Sequence, residues 1–189
     1  MEIIKAILFG IVEGITEWLP ISSTGHMILL NEFINLNVSK DFYSLFEVVI
    51  QLGAIMAVVV MYFKTIWPFG FGKTKKETKE TFNLWGKILV ACVPAAIIGI
   101  LLDDWLDAHL YSVVVSLMLI IYGIIFIVVE SKNMGKGKTE NLNDITYKQA
   151  LGVGVFQLLS LIPGTSRSGA TIIGGLILGL KRSVAAQFT

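Results

Sequence analysis

Charge and cysteine are what this 189-residue chain has least of. Only 15% of its residues are charged, against about 25% in an ordinary soluble domain. The chain therefore lacks the polar surface that would coat a water-soluble globule. Its single cysteine, Cys92, sits inside an apolar run, which excludes an intrachain disulfide and a thiolate metal site. With only His26 and His109 present, a three-histidine zinc site is excluded as well. A formal net charge of +1 rules out a strongly basic nucleic-acid binder or an acidic tail, so no nucleic-acid partner is expected.

What the chain does have is apolar length. Hydrophobic residues make up 54% and the mean hydropathy is +0.75, which places the chain in a membrane. The opening MEIIKAILFGIVEG begins like a signal peptide. Glu13 cuts its apolar core and no small-residue cleavage site follows, so this segment is read as retained. Three stretches, 42–63, 86–102 and 111–129, approach the roughly 20 residues needed to cross the hydrocarbon core.

The connections differ in charge. Segment 64–85 carries Lys64, Lys73, Lys75, Lys76 and Lys79, and segment 130–148 carries Lys132, Lys136, Lys138 and Lys148. Between them lies a short acidic stretch with Asp103, Asp104, Asp107 and His109. Two spans separate the basic segments, so they share a side, and the positive-inside rule makes it the cytoplasm. The acidic stretch then lies outside.

Two further apolar regions are interrupted: 3–36 by LPISSTGH and 149–180 by IPGTSRSG. Each half is too short to span a bilayer without tilting, and each break holds proline, glycine and hydroxyl residues. Such breaks persist at membrane depth only when buried in protein or lining a wet cavity, so two re-entrant helical hairpins are expected. The regions resemble each other at a shift of 144 positions. Gly10 then lies over Gly154, Glu13 over Gln157, Thr16 over Ser160, Ser22 over Ser166, Thr24 over Ser168 and Gly25 over Gly169. An odd number of spans separates the copies, so they have opposite orientations, the arrangement that places a site where the breaks meet near the midplane. The expected fold is all-α: one polytopic transmembrane domain over 1–189, with a first re-entrant region at 1–37, three spans within 42–129, and a second re-entrant region at 149–180. The two hairpins form an inverted repeat.

The breaks hold the reactive groups. Glu13 and Glu17 are four apart, hence on one helix face. Pro20 ends that helix, and Ser22 or Ser23 caps a new one that carries His26. In the second break Pro163 and Gly164 end a helix, Thr165 or Ser166 caps the next, and Thr171 lies one turn further on. Helix N-termini attract phosphate, and Arg167 supplies a planar donor fork suited to phosphate oxygens. Together these residues make a phosphate site with candidate acid–base groups. Two glutamates and a diphosphate would repel in a low-dielectric cavity. Either a hard divalent cation bridges carboxylate and phosphate oxygens, or a glutamate is protonated and serves as an acid; the cation is the favoured solution.

EGITEWLPISSTGH and PGTSRSG, in this order and with this hydropathy, resemble the undecaprenyl-diphosphate phosphatases of the bacitracin-resistance family. The likeness runs along the whole chain, including FEVVIQLGAI at 46–55. It implies hydrolysis of undecaprenyl diphosphate to the monophosphate on the outer face of the bacterial plasma membrane, dependence on a divalent cation (Mg²⁺ or Ca²⁺), and a role in cell-wall synthesis. In the resemblance Glu13 and Glu17 match the glutamate-rich motif, and they are the candidate holders of the favoured cation. Ser23 matches the proposed nucleophile, His26 the histidine closing that motif, and Arg167 the phosphate-binding arginine. Ser22, Ser166 and Thr171 match supporting hydroxyls, and Thr24 and Ser168 join them as substrate-binding candidates. The expected partners are the lipid diphosphate, the membrane and a second copy of the chain in a homodimer. The family continues beyond AAQFT into further transmembrane helices, so this chain is read as lacking the C-terminal part.

The expected chemistry is attack by Ser23 on the terminal phosphorus, with Glu17 or His26 taking the proton, or direct attack by water with His26 as base. A lipid flippase or secondary transporter is the rival class, since broken helices in inverted repeats serve transport too. Glu47 and Gln51, near the outer end of their span, are left outside the catalytic set as interfacial or supporting residues. Gly175 and Gly179 are read as a close-packing pair. Gly152 and Gly154 make no dinucleotide fingerprint, because no βαβ unit surrounds them.

Overall fold

The structure is a computed structural model that describes residues 2–70, 72–108, 112–132 and 134–189. Among the described residues it is helical, with no strand and only two isolated β-bridges. Three helices are long and apolar enough to cross a membrane: α3 (Lys40–Met61), the Lys75–Leu102 part of α5 (Lys75–Ala108), and Val113–Ser131 of α6 (Ser112–Ser131). Most of their large apolar side chains face outward, as expected when lipid rather than water is the solvent.

The expected connections are partly helical. Segment 64–85 holds the end of the short α4 (Phe63–Ile66), and α5 begins at Lys75. A reciprocal cap explains the early start. The Thr74 N–H donates to Glu77 Oε2 at 2.7 Å, and the Glu77 N–H donates to Thr74 Oγ1 at 3.2 Å, satisfying two donors the first turn would leave bare. At its other end α5 runs through Asp103, Asp104 and Asp107, so these lie on a helix instead of in a loop. His109 of the acidic stretch lies outside the described residues.

The two interrupted regions are helical hairpins. The first pairs α1 (Glu2–Thr16) with α2 (Ser23–Phe33), and the second pairs α7 (Tyr147–Gln157) and a 3-10 turn at Leu158–Leu161 with α8 (Arg167–Ile177). At 15 and 11 residues, α1 and α2 are about 22 and 16 Å long, short of the roughly 30 Å hydrocarbon core. The open ends are tied together. Lys5 Nζ donates to the Asn35 carbonyl at 2.7 Å and the Asn37 N–H to Glu2 Oε2 at 2.9 Å. In the second hairpin Gln149 Nε2 donates to the Leu178 carbonyl at 3.2 Å.

The 144-position shift carries Ser23–Phe33 onto the bounds of α8. It also carries the cap: Ser22 Oγ accepts from the Gly25 N–H at 3.3 Å, and Ser166 Oγ accepts from the Gly169 N–H at 3.1 Å. Ser22 and Ser166, not Ser23 and Thr165, are therefore the capping residues. The hairpins open at opposite ends of α3. The first is joined to the start of α3. The second opens beside the end of α3, where Lys64, Lys73, Glu140 and Ser183 line one cavity of about 440 Å³. Backbone bonds from the Lys181 N–H to the Thr139 carbonyl at 3.0 Å and from the Arg182 N–H to the Gly135 carbonyl at 3.2 Å fasten that end to the basic segment.

A continuous core lies around the second hairpin, where Tyr122, Val129, Ala150, Val153, Ile173, Leu176 and Val184 pack together. Gly154 lets α7 approach α5 closely, since a Cβ there would overlap the Ala91 carbonyl. The Gly175–Gly179 pair divides into two roles. Gly175 packs against Ala185 of α9 (Arg182–Phe188). Gly179, at φ +84° with open space around it, instead ends α8: the Leu180 N–H bonds the Gly175 carbonyl at 2.9 Å and the Gly179 N–H the Leu176 carbonyl at 3.1 Å, a left-handed C-terminal cap.

Candidate functional site

The site forms where the two hairpin tips touch. α1 stops at Thr16, four residues before Pro20, and Glu17 follows in a turn whose N–H still bonds the Glu13 carbonyl at 2.9 Å. Ser22 then adopts φ 65°, ψ 94°, a backbone region costly for any residue but glycine. This sharp reversal sends α2 back along α1 and sets Ser23 at its first position, facing Glu17.

Glu17 is the centre of the polar network. Ser23 Oγ donates to Glu17 Oε2 at 2.5 Å. Arg167 Nη2, from the other hairpin, donates to Glu17 Oε1 at 3.2 Å. Under the repeat, Ser23 and Arg167 occupy equivalent positions, each the first residue of its half-helix. The first residue of each half-helix thus sends a side-chain donor to one carboxylate, and both are donors that a phosphate oxygen can use. A Cβ on Gly169 would come within 3.3 Å of the Pro20 carbonyl, so the tips are in backbone contact. The Glu17 side chain is 20% exposed and Arg167 53%; a ligand can reach the arginine without dismantling the site.

The remaining predicted residues fall into three groups. Glu13 is buried and faces a cavity of about 220 Å³ that Thr24, Ser44, Glu47 and Gln51 also line. His26 Nδ1 lies 2.8 Å from the Ser22 carbonyl. With Nδ1 protonated to make that bond, Nε2 carries the lone pair. The hydroxyls of the second tip are engaged locally: Ser166 Oγ and Ser168 Oγ lie 3.1 Å apart, and Thr171 Oγ1 donates to the Arg167 carbonyl at 2.9 Å. The Thr171 proton is therefore directed at its own helix. Thr165 Oγ1 is buried without a hydrogen-bond partner.

Sequence reasoning left Ser44, Glu47 and Gln51 outside the site. Gln51 Nε2 reaches Glu17 Oε1 at 3.5 Å. The available signal was spacing: 44, 47 and 51 put three polar side chains on one face of an otherwise apolar helix.

For a divalent cation the donor chemistry is suitable, since Glu13, Glu17 and Glu47 offer hard carboxylate oxygens. Among the described residues no three His, Cys, Asp or Glu side chains form a ligand cluster by themselves. A cation here would complete its shell with hydroxyl, water and phosphate oxygens, as magnesium commonly does.

Residues 6–189 match the family described as bacitracin resistance protein BacA. The chain is 61% identical over 194 residues to an undecaprenyl-diphosphatase of Enterococcus faecalis, covering all of this chain and 70% of that protein. To the undecaprenyl-diphosphatase of a second Enterococcus faecalis strain it is 60% identical over 187 residues, 98% of this chain and 68% of the relative. To that of a Streptococcus thermophilus strain it is 58% identical over 191 residues, all of this chain and 66% of the relative. The chain thus spans about two thirds of the length of these proteins. A family match along almost every residue, with relatives this similar, makes the chain a member of the bacitracin resistance protein BacA family.

Proposed function

We propose that this membrane protein hydrolyses undecaprenyl diphosphate to undecaprenyl phosphate and inorganic phosphate. The observation that carries the reading is Glu17 held between Ser23 of one half-helix and Arg167 of the other. A transporter has no need of a hydroxyl hydrogen-bonded to a carboxylate. A phosphoryl-transfer enzyme does, because that pair is a nucleophile with its base.

In this mechanism the lipid tail lies among the apolar helices and the diphosphate enters the tip region. Arg167 and the N-termini of α2 and α8 hold the phosphate oxygens and offset the charge that develops on them. Ser23 Oγ attacks the terminal phosphorus, and its proton passes to Glu17 Oε2. The phosphoanhydride bond breaks, and undecaprenyl phosphate leaves with the bond electrons. Water then attacks the phosphoserine, losing a proton to His26 Nε2, and inorganic phosphate is released. The geometry favours Glu17 over His26 for the first step, since Glu17 already accepts the Ser23 hydroxyl. Glu13 and Glu17 would hold the divalent cation, Mg²⁺ or Ca²⁺, and bound there it would neutralise phosphate charge.

The membrane part of the reading is a multi-pass protein of the bacterial plasma membrane, its hairpins re-entrant and its site facing outside. Supporting it are helices too short to span, hairpins that open at opposite ends of α3, and lysine-rich segments gathered at one end. A homodimer belongs to the same reading, and crosslinking in native membranes tests it.

The deciding experiment is phosphate release from undecaprenyl diphosphate by the purified chain in detergent. The reading predicts release that falls to background in Ser23→Ala and Arg167→Ala. Transbilayer movement of the lipid with no phosphate released would overturn it.

A further inference from the structure

α3 carries polar side chains that the mechanism above does not use. Ser44, Glu47 and Gln51 share one face, and that face borders the cavity holding Glu13 and Thr24. The rest of the helix is almost wholly apolar and outward-facing. A polar stripe on such a span has an energetic reason only if it meets polar partners. Gln51 does, through its 3.5 Å contact with Glu17 Oε1.

That oxygen has a second donor, Arg167. The two donors differ in what substrate does to them. A guanidinium fork prefers phosphate oxygens, which it can grip bidentately. An arriving diphosphate therefore draws Arg167 away from Glu17. Once Arg167 has turned, Gln51 is the protein donor left on Oε1, and without it the carboxylate can pivot even on the cation that Glu13 and Glu17 would hold. Rotation would take Oε2 off the Ser23 hydroxyl and separate base from nucleophile at the moment of attack.

We infer that Gln51 is a positioning residue, holding Glu17 in the orientation that keeps Oε2 on Ser23 while Arg167 is drawn onto the substrate phosphate. This inference rests on the phosphatase reading above and adds a residue to it.

Three substitutions in the full chain, assayed in detergent with undecaprenyl diphosphate, separate a donor from a packing role. Gln51→Met keeps the length without a donor, Gln51→Glu keeps the length and adds a charge that repels Glu17, and Gln51→His places a ring N–H at similar reach. The expected order of kcat is wild type, Gln51→His, Gln51→Met, Gln51→Glu. The Gln51→Met loss should be on the order of tenfold, with KM within about twofold, because the amide does not touch substrate. A packing role reverses the order, leaving Gln51→Met and Gln51→Glu near wild type and Gln51→His lowest. That order, or equal kcat in all four proteins, overturns the inference. If Gln51→Met does not fold, shown by gel filtration in detergent, the comparison of Gln51→His with Gln51→Glu still decides. Failure of the unsubstituted chain to release phosphate would overturn the phosphatase reading and the role of Gln51 with it.

Discussion

At Glu17 one carboxylate accepts from a serine, an arginine and an amide, each from a different helix or tip. Changing it to Gln51's own chemistry, Glu17→Gln, keeps the size but removes the proposed base and turns one of the two accepting oxygens into a donor that faces donors. The expected cost is on the order of 10²- to 10⁴-fold in kcat, read by phosphate release with substrate saturating. Arg167→Lys tests a different property. It retains the charge and loses the planar fork, so it should fall on the order of 10²-fold below wild type yet stay above Arg167→Ala. Equal activity of Arg167→Lys and wild type would mean that only net charge matters at that position. Glu13, Glu17, His26 and Arg167 stood out in the sequence because ionisable groups in apolar surroundings need a reason to be there, and Ser23 through its place at the break and the family resemblance. That the Ser23 hydroxyl meets a Glu17 oxygen was not visible, since spacing along the chain says nothing about which oxygen a side chain meets.

At the scale of the element, the two half-helices are capped alike but entered differently. Ser22 has φ 65° and Ser166 φ −65°. Alanine at either position removes the cap, at about 1 kcal/mol. Glycine removes it too, but relieves the unfavourable φ only at position 22, by about 1–2 kcal/mol. The stability advantage of Ser22→Gly over Ser22→Ala should therefore exceed that of Ser166→Gly over Ser166→Ala, measured by thermal unfolding in one detergent. Helix packing offers a second test. Gly154→Ala pushes a methyl into the Ala91 carbonyl and should cost about 1–3 kcal/mol by forcing α5 and α7 apart. Gly14→Ala meets nothing within 4 Å and should be neutral or slightly stabilising. The breaks in the two apolar regions foretold two helical hairpins, because proline, glycine and hydroxyl residues there carry a backbone requirement, and the repeat at 144 positions foretold their shared cap. It did not foretell the strain at Ser22 alone, which follows from the different chain reversals at Pro20 and Gly164.

Across the whole molecule, the ties at the two open ends make a topological prediction. Asn37 lies at the open end of the first hairpin and Lys136 in the segment bridged to the end of the second. In a Cys92→Ser background, a membrane-impermeant maleimide applied to intact cells should label Asn37→Cys at once and Lys136→Cys only after permeabilisation. The opposite pattern would invert the orientation and place the site on the cytoplasmic face. Composition and the length of the apolar runs determined that this chain lives in lipid and is built from helices, because a chain so poor in charge cannot cover itself for water and runs of roughly 20 apolar residues suit spanning helices. Local motifs marked where those helices break and pointed to phosphate chemistry there. Only the tertiary structure decided that Glu17 is the point of convergence and that α3 supplies a third wall. Convergence depends on the angles at which separate helices cross, and those are set by packing such as Gly154 on Ala91 and Gly169 on Pro20, which no one-dimensional pattern records.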